Sequence, residues 1–298
     1  MFNRIIRAIS NLLHINRLSS ELGYLNNIIK DLNYKLDSND ARFTALENRY
    51  RQIFDSLDPF QANSRRELLN RVLPKIFDVK LSRYGRPGDG GYYLADPLYG
   101  DDVLISAGLA DDTSFEESVS KSLKKIVGLD HTIEQMANSE IFEHRRIGLK
   151  GESSEGFITL ERLVSEYKAT DYILKIDIEG DEWEVLDKTQ SDVLRKFRQV
   201  VIEFHGFTQH LDFEKCSQMM RVVEKLLESH MVIFAHANNW GDFIYFGNYE
   251  VPDVVEVTYL RRDQEYESID PSNSTLVIEE NTNKVRPVGN AWINTILS

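Results

Sequence analysis

The chain has 298 residues, of which 42% are hydrophobic, and carries a formal net charge of −13 with an isoelectric point near 5.1. This length and composition can supply a core for one large domain with an extension, or for two small domains. The acidic balance argues against a nucleic-acid-binding protein, because contacts to phosphates need a basic surface. The single cysteine, Cys216, excludes an intrachain disulfide framework and a zinc site built from several cysteines.

No apolar run reaches the roughly 18 residues that a membrane-spanning helix needs. No secretory cleavage pattern follows the N-terminus, so the sequence favours a cytoplasmic protein. Residues 1–14 place apolar residues at helical spacing beside Arg4 and Arg7. This pattern fits an interfacial helix with peripheral membrane contact as well as it fits the first turns of the next helix.

A long heptad repeat follows this segment. Its narrow apolar seam is typical of a coiled coil, which needs a partner helix, and predicts an oligomerisation arm over residues 1–58. A helix lying along its own domain is the alternative, and the number of strands in a coiled coil stays open. Asp58-Pro59 ends the arm, and residues 59–80 are predicted to form a connecting helix. The seam residues are Ile15, Leu18, Leu22, Leu25, Ile29, Leu32 and Leu36, continued by Asn39, Phe43, Leu46, Tyr50, Ile53 and Leu57.

Residues 81–262 alternate short β-branched runs with helical stretches, which predicts a parallel sheet with crossover helices. Residues 263–298 are acidic and polar and are treated as a C-terminal extension. The predicted strands are 102–107, 125–130, 146–149, 172–178, 199–205, 231–237 and 254–260. The predicted helices run from after Phe115 to Lys124 and over 157–167, 182–197 and 213–229.

The turn after the first strong strand is a candidate cofactor site. Gly108 follows that strand at once, and Asp130 ends the next strand 22 residues later, a spacing that suits the ribose hydroxyls of a nucleoside. Ala110 breaks the dinucleotide-binding glycine fingerprint. Asp112 would repel a pyrophosphate but suits a cofactor with an amino group, and Ser114 can cap the following helix. These residues favour S-adenosylmethionine over a nicotinamide dinucleotide.

Polar side chains also gather at three other strand ends. Parallel strands place their carboxyl ends at one edge of the sheet, so these side chains can converge in one cleft. There a histidine can take a proton from a hydroxyl with an acid orienting it, or the set can hold a divalent metal. The residues are Asp177 and Glu179 after one strand, Glu203 and His205 after the next, and His236, Asn238 and Asn239 after the third.

At these residues the chain resembles the FkbM-type family of S-adenosylmethionine-dependent methyltransferases. The resemblance covers roughly residues 80–262, and its most specific part is K-I-D-I-E-G-D-E-W at Lys175–Trp183. It extends to D-G-G-Y at Asp89–Tyr92, S-A-G-L-A-D-D-T-S-F at Ser106–Phe115, E-F-H at Glu203–His205, H-A-N-N at His236–Asn239 and P-D-V-V-E-V-T-Y at Pro252–Tyr259. Ala110 departs from the family's usual second glycine, and the predicted coiled coil lies outside the family core.

The resemblance implies a Rossmann-like class I sheet of seven strands, with the last strand antiparallel, and methyl transfer to an oxygen nucleophile. Asp89, Gly90, Gly91 and Tyr92 would close over the cofactor, Gly108, Asp112, Ser114 and Phe115 would line its turn, and Asp130 would hold the ribose. Asp177 and Glu179 would face the reaction centre. His205 or His236 would be the general base, with Asn238 and Asn239 orienting acceptor hydroxyls.

The function predicted is therefore an O-methyltransferase acting on a sugar hydroxyl of a bacterial surface glycan or related glycoconjugate, with a divalent metal as an open question. One alternative is an oligomeric scaffold of a glycan-synthesis complex with an inactive methyltransferase-like domain. Another is a nicotinamide-dependent oxidoreductase or epimerase, against which the broken glycine fingerprint argues.

Overall fold

A computed structural model describes residues 67–68, 71–72, 79–87, 90–246 and 249–263. The predicted interfacial helix, the coiled-coil arm, nearly all of the connecting helix and the C-terminal extension lie outside these residues. Among the residues described, no helix is both long enough and apolar enough to cross a membrane.

The described chain is built on a seven-stranded mixed sheet. Its strands, in order across the sheet, are β10 (His230–Phe246), β11 (Tyr249–Arg261), β9 (Phe197–Phe204), β8 (Tyr172–Ile176), β3 (Val103–Ala107), β4 (Lys125–Leu129) and β5 (Phe142–Arg145). Only β11 runs against its neighbours. The strand order reverses at β3, the switch point of an open doubly wound sheet. This order and the single antiparallel strand are those of a Rossmann-like class I methyltransferase sheet, as the sequence predicted.

The strands and helices have the following bounds. The strands are β1 Leu81–Tyr84, β2 Tyr92–Ala95, β3 Val103–Ala107, β4 Lys125–Leu129, β5 Phe142–Arg145, β6 Gly148–Leu149, β7 Phe157–Ile158, β8 Tyr172–Ile176, β9 Phe197–Phe204, β10 His230–Phe246 and β11 Tyr249–Arg261. The helices are α1 Ser114–Val119, α2 Leu160–Glu166, α3 Glu182–Lys188, α4 Ser191–Leu194 and α5 Phe213–Leu227, with a 3₁₀ helix at Phe207–Leu211. β1 pairs with β2 as a hairpin, and β6 pairs with β7.

The central strands are buried on both faces, which is why they read as continuous apolar runs. Alternate residues belong to different cores. Ile105 and Leu174 pack with residues of α2, α3 and α5, whereas Leu104 and Ile173 pack with α1 and the β1–β2 hairpin.

Two predicted elements were wrong, and a third, the helix expected over 182–197, is divided into α3 and α4, with Phe197 already in β9. The third strand was expected over 146–149, but the sheet takes Phe142–Arg145 instead, an edge strand whose polar residues hide its period-two pattern. The helix expected over 157–167 begins only at Leu160, because Phe157–Ile158 pairs with β6 and Thr159 caps the helix. The other strands were located correctly, although β10 and β11 are longer than predicted.

The two ends of the sheet differ in chemistry. Where β3, β8 and β9 begin, the Arg198 guanidinium lies 3.0 Å from Asp102 and 2.5 Å from Asp171, and Arg261 lies 2.6 Å from Asp171. Ion pairs thus tie together the amino ends of the strands. The opposite edge, where β3, β4, β8 and β9 end, is open and carries the predicted site.

Candidate active site

A cleft of about 700 Å³ lies at the carboxyl ends of β3, β4, β8 and β9. Its volume is that of a typical small-molecule site. Most of the predicted site residues line it, namely Gly90, Tyr92, Gly108, Asp112, Phe115, Asp130, Asp177, Glu179, His205 and Asn238. Gly91, Ser114 and His236 are not among the residues that line it. Asp89 and the side chain of Asn239 lie outside the described part of the chain.

The turn after β3 brings two strand ends into unusually close contact. Gly108 has a φ of +82°, and a Cβ added there would lie 1.6 Å from the carbonyl oxygen of Asp177. Only glycine fits both the left-handed conformation and this approach. Ala110, which replaces the expected second glycine, also takes a positive φ of 48°, so the substitution keeps the shape of the turn at the cost of some backbone strain.

Asp130 holds this turn from the neighbouring strand. Its Oδ2 accepts hydrogen bonds from the backbone N–H groups of Leu109 and Ala110, at 3.0 and 2.9 Å. Its Oδ1 accepts from the backbone N–H and hydroxyl of Thr132, at 2.8 and 2.6 Å. Burial opposes the charged form, but these hydrogen bonds outweigh it and lower the pKa of Asp130. Asp130 is therefore a carboxylate that fixes the cofactor turn.

The predicted capping role of Ser114 is wrong. The position before the helix is Thr113, and the Ser114 hydroxyl accepts from the backbone N–H of Arg86 at 2.9 Å and lies 3.2 Å from Asp112 Oδ2. Asp112 Oδ1 accepts from the Ser114 N–H at 3.0 Å, and its Oδ2 lies 3.0 Å from the Arg86 guanidinium. Ser114 and Asp112 thus attach the glycine-rich hairpin loop to the start of α1.

The β1–β2 hairpin contributes Tyr92 to the cleft. This side chain is buried, and its ring packs edge-on against Phe115 with centroids 5.4 Å apart. Its hydroxyl lies 2.8 Å from Asp177 Oδ2 and 3.1 Å from Glu203 Oε2. Burial and the charges of Glu203 and Asp177 raise the pKa of Tyr92 well above its ordinary value, so the phenol stays protonated and donates its one proton to Asp177, the nearer carboxylate.

Asp177 and Glu203 form the floor of the cleft beside Tyr92. Asn238 donates from Nδ2 to Glu203 Oε1 at 2.8 Å. Lys175 places its ammonium 3.4 Å from Asp177 Oδ2 and also donates to the carbonyl of Gly108. Asp177 thus points into the cleft, as expected, and Lys175, two residues earlier, pairs with it from the same side of the strand.

Glu179 takes a different position from Asp177. The strand ends at Ile176, and Glu179 has a positive φ of 58° that turns the chain before Gly180. Its side chain is 87% exposed, and Oε2 lies 3.5 Å from His205 Nε2. Glu179 therefore lies at the rim of the cleft rather than on its floor.

His205 follows the last residue of β9, and its two ring nitrogens face different surroundings. Nδ1 lies 3.1 Å from Oε1 of Glu182, a fully buried carboxylate, while Nε2 is the nitrogen nearer the rim and Glu179. Burial opposes the imidazolium, but the hydrogen bond to Glu182 and the charges of Glu182, Glu203 and Asp177 raise the pKa of His205 to about 9. The ring is thus cationic at neutral pH when the cleft holds no ligand.

His236, the other predicted base, lies elsewhere. It pairs with Glu256 across β10 and β11, and its ring stacks near Phe234 with centroids 6.3 Å apart. Of the two histidines, only His205 lines the cleft.

Asp177, Glu203 and His205 also meet the distance requirement for a divalent cation, since their ligand atoms all lie within 4.8 Å of one another. Because Nδ1 is engaged by Glu182, Nε2 would be the ligand. The same nitrogen can either accept a proton from an acceptor or coordinate a cation, but not both.

Several residues of the site were missed as functional by the sequence reasoning. Glu182 was interpreted as the start of a helix, and Glu203 was noted without being assigned a role. The rings of His131 and Phe157 pack at a tilt of 58° with centroids 5.0 Å apart and, with Leu149, form an apolar wall of the cleft. The only sequence signal for this wall was the position of His131 directly after Asp130.

The comparisons with known proteins agree with this architecture. Residues 98–230 match the family model described as the methyltransferase FkbM domain. Residues 98–230 therefore form an FkbM methyltransferase domain. It is accordingly an S-adenosylmethionine-dependent methyltransferase, and the cofactor predicted from the sequence is the one this family uses. No curated protein gives a significant match.

Solved structures show only a distant likeness to this chain. A hemolysin candidate from Streptococcus thermophilus is 12% identical with a TM-score of 0.33, and the match covers 56% of this chain and 62% of that one. An rRNA methylase from the same organism is 11% identical with a TM-score of 0.32, covering 55% and 89%. A methyltransferase candidate from Streptococcus mutans, in complex with SAH, is 10% identical with a TM-score of 0.30, covering 66% and 94%. The likeness is weak at these scores, and the strand order itself identifies the fold.

Proposed function

We propose that this methyltransferase transfers a methyl group to a hydroxyl oxygen of a sugar, with His205 as the general base. The observation that carries the proposal is the placement of His205 on the cleft with Nδ1 held by Glu182. An imidazole fixed in this way presents Nε2 to an acceptor, which is the geometry of a proton acceptor oriented by an acid.

The residues of the cleft fit the predicted cofactor. Gly108 allows close backbone approach at the turn, and Asp130 lines the cleft at the end of β4, the position at which an acid suits ribose hydroxyls. The apolar wall of Leu149, His131 and Phe157 suits a purine ring. S-adenosylmethionine, when bound, supplies an electrophilic methyl group on a positively charged sulfur.

The chain's own residues then have two roles, because an in-line transfer needs only alignment of the acceptor hydroxyl with the methyl group and one proton acceptor. With the cofactor bound, the acceptor oxygen would bond to the methyl carbon as the S–C bond breaks, and His205 Nε2 would accept the hydroxyl proton. A positive charge bound in the cleft lowers the pKa of a nearby imidazolium. Cofactor binding would therefore bring His205 from about 9 toward the range in which it works as a base.

The arrangement of donors favours a base over a metal ligand. The Tyr92 hydroxyl lies within 3.1 Å of both Asp177 Oδ2 and Glu203 Oε2, and the Lys175 ammonium lies 3.4 Å from Asp177 Oδ2. These donors already engage carboxylate oxygens that a cation would need. Turnover that is unchanged by a chelator supports the base, and turnover that is lost and then restored by Mg²⁺ or Mn²⁺ assigns Nε2 to a metal instead.

The choice of a sugar acceptor, in particular a bacterial surface glycan, rests on the resemblance noted in the sequence. The polar lining at the acceptor end, with Asn238 and Glu203 on the floor and Glu179 at the rim, supports a hydroxylated acceptor that makes several hydrogen bonds. Methyl transfer from radiolabelled cofactor to a panel of sugars, sugar nucleotides and glycan extracts tests this choice. Labelling of none of them, with labelling of an amine instead, would overturn it.

Isothermal titration with S-adenosylmethionine and with NAD tests the domain itself. Binding of the first and not the second is expected. An inactive scaffold would bind neither or would bind without turnover on any acceptor. Turnover lost in His205→Ala and retained in His236→Ala identifies the base, whereas equal turnover in both variants contradicts the assignment of His205.

A further inference from the structure

The first two residues of α3 hold His205 at three atoms. Glu182 Oε1 lies 3.1 Å from the ring Nδ1, and its Oε2 accepts from the backbone N–H of His205 at 3.4 Å. Trp183 donates from its indole Nε1 to the backbone carbonyl of His205 at 2.8 Å. The ring orientation and the backbone of this residue are therefore both fixed from the neighbouring helix.

The position of His205 explains why it needs such contacts. The strand ladder ends at Phe204, and Gly206 turns the chain with a left-handed φ of +71°. His205 thus lies between the sheet and a turn, where strand pairing no longer restrains it. The indole of Trp183 stacks on Phe204 with centroids 4.1 Å apart, which anchors the holding residue to the strand itself.

The burial of the Glu182 carboxylate is energetically costly for a purely structural role. Its side chain is fully buried, and burying a carboxylate costs several kcal/mol unless hydrogen bonds compensate. The N–H groups of Ile178 and Gly180 compensate it at 2.9 and 3.1 Å. The same carboxylate that closes the β8–α3 turn is thereby rigidly aimed at the ring of His205.

We propose that Glu182 and Trp183 are positioning residues for methyl transfer. Glu182 fixes the tautomer of His205 with the proton on Nδ1 and Nε2 toward the acceptor, and Trp183 fixes the backbone that carries the ring. This inference rests on the proposed role of His205 as the base. It assigns to the sequence Glu182-Trp183 a function beyond starting and packing a helix.

Other charged groups also face His205 and must be separated from Glu182. Asp177 lies at the end of β8, Glu203 on the same strand as His205, and Glu179 at the rim, while the Lys175 ammonium lies beyond Asp177. Two carboxylates contact the ring of His205 directly, Glu182 at Nδ1 and Glu179 at Nε2. Substituting Glu182 therefore changes the nitrogen opposite the acceptor and leaves the acceptor side intact.

The test measures kcat and KM across pH 6–10 for the full chain and three variants. Glu182→Gln keeps the size of the side chain but removes its charge, and we expect kcat to fall by about 10²-fold or more, with the KM for both substrates within about twofold. The acid limb of its pH profile of kcat should move to lower pH, because the charge that favours the imidazolium is gone.

Trp183→Phe keeps the stacked ring and loses one hydrogen bond, so kcat should fall by about tenfold or less, and the acid limb of the profile should not move. Glu184→Gln, an exposed site on the same helix, is the matched control and should resemble wild type.

Wild-type kcat and an unmoved acid limb in Glu182→Gln would overturn the inference. If that variant does not fold, Glu182→Asp takes its place, and a retained acid limb with lowered kcat supports orientation by the carboxylate. A second measurement needs no turnover. Nitrogen-15 NMR of the His205 ring in the unliganded chain should show the Nδ1–H tautomer above its pKa in wild type and a lower pKa in Glu182→Gln. If no acceptor is ever methylated, the proposed function fails, and the NMR titration still decides whether Glu182 controls the ring.

Discussion

Gly108→Ala is the substitution for which the structure gives the sharpest expectation. The new Cβ would lie 1.6 Å from the backbone carbonyl oxygen of Asp177, roughly half of the 3.0 Å below which real Cβ atoms are essentially never found. That oxygen is a backbone atom and cannot rotate away. Asp177 is also tied to β3, because its N–H donates to the Ala107 carbonyl at 3.0 Å. The ends of β3 and β8 must therefore separate.

Two costs add in this variant. A non-glycine residue in the left-handed region costs about 1–2 kcal/mol, and forcing extra volume into a packed site costs about 1–3 kcal/mol. Gly156→Ala isolates the first cost, since Gly156 has a φ of +77° and no atom within 4 Å of an added Cβ. We expect Gly108→Ala to lower the free energy of unfolding by about 1–3 kcal/mol more than Gly156→Ala does.

Urea denaturation of the two variants and wild type measures this difference, and isothermal titration measures its effect on the site. Because the strands that separate form the cofactor turn, the affinity of Gly108→Ala for S-adenosylmethionine should fall by at least about tenfold, or about 1.4 kcal/mol. Gly156→Ala should keep wild-type affinity. Equal unfolding free energies and equal affinities in the two variants would refute the argument that close approach, rather than backbone conformation, requires glycine at this turn.

Three further predictions concern charge. Arg198→Met should destabilise the fold by about 2–4 kcal/mol in urea unfolding, because it leaves the buried Asp102 without its paired cation and Asp171 with Arg261 alone. Arg221→Met breaks a surface pair with Asp187 and should cost about 0–1 kcal/mol; equal losses would contradict this. Burial lowers the pKa of His230, so wild type should lose stability relative to His230→Gln as the pH falls below about 6.5, and parallel pH curves would exclude that. The pKa of His205 shifts in the opposite direction, to about 9. Its contribution to the free energy of unfolding is therefore complete below about pH 6.5 and is lost as the pH rises through about 9. The stability advantage of wild type over His205→Gln should vanish over that pH range, and an advantage independent of pH would contradict this.

Much of the sheet could be predicted because its strands are buried on both faces. Runs such as Val103–Ala107 and Tyr172–Ile176 consist almost entirely of apolar residues, so their positions follow from composition alone. Phe142–Arg145 was missed because an edge strand is half exposed and its residues alternate with charged ones. The sequence pattern before this strand and the pattern after it predicted a strand about equally weakly, so the sequence did not favour the correct segment.

The floor of the site was predictable for the same reason. Asp177 is the first residue after a strand whose core residues fix the period-two alternation. The side of the strand on which its side chain lies therefore follows from the sequence. Glu179, two residues later, could not be placed, because the chain leaves the strand and takes a left-handed conformation there. Local periodicity is a reliable guide only up to the residue at which the strand ends.

Glu182 shows a different limit. An acid in the first turn of a helix is the ordinary choice there, since it interacts favourably with the helix dipole, and nothing in the local sequence distinguishes Glu182 from Glu184. What separates them is the neighbouring strand, which returns His205 to within 3.1 Å of Glu182 and leaves Glu184 exposed. The Tyr92 hydroxyl likewise meets Glu203 across more than a hundred residues of chain. Residue types at strand ends therefore predict that a site exists, whereas the partners that orient its base follow only from the order of the strands.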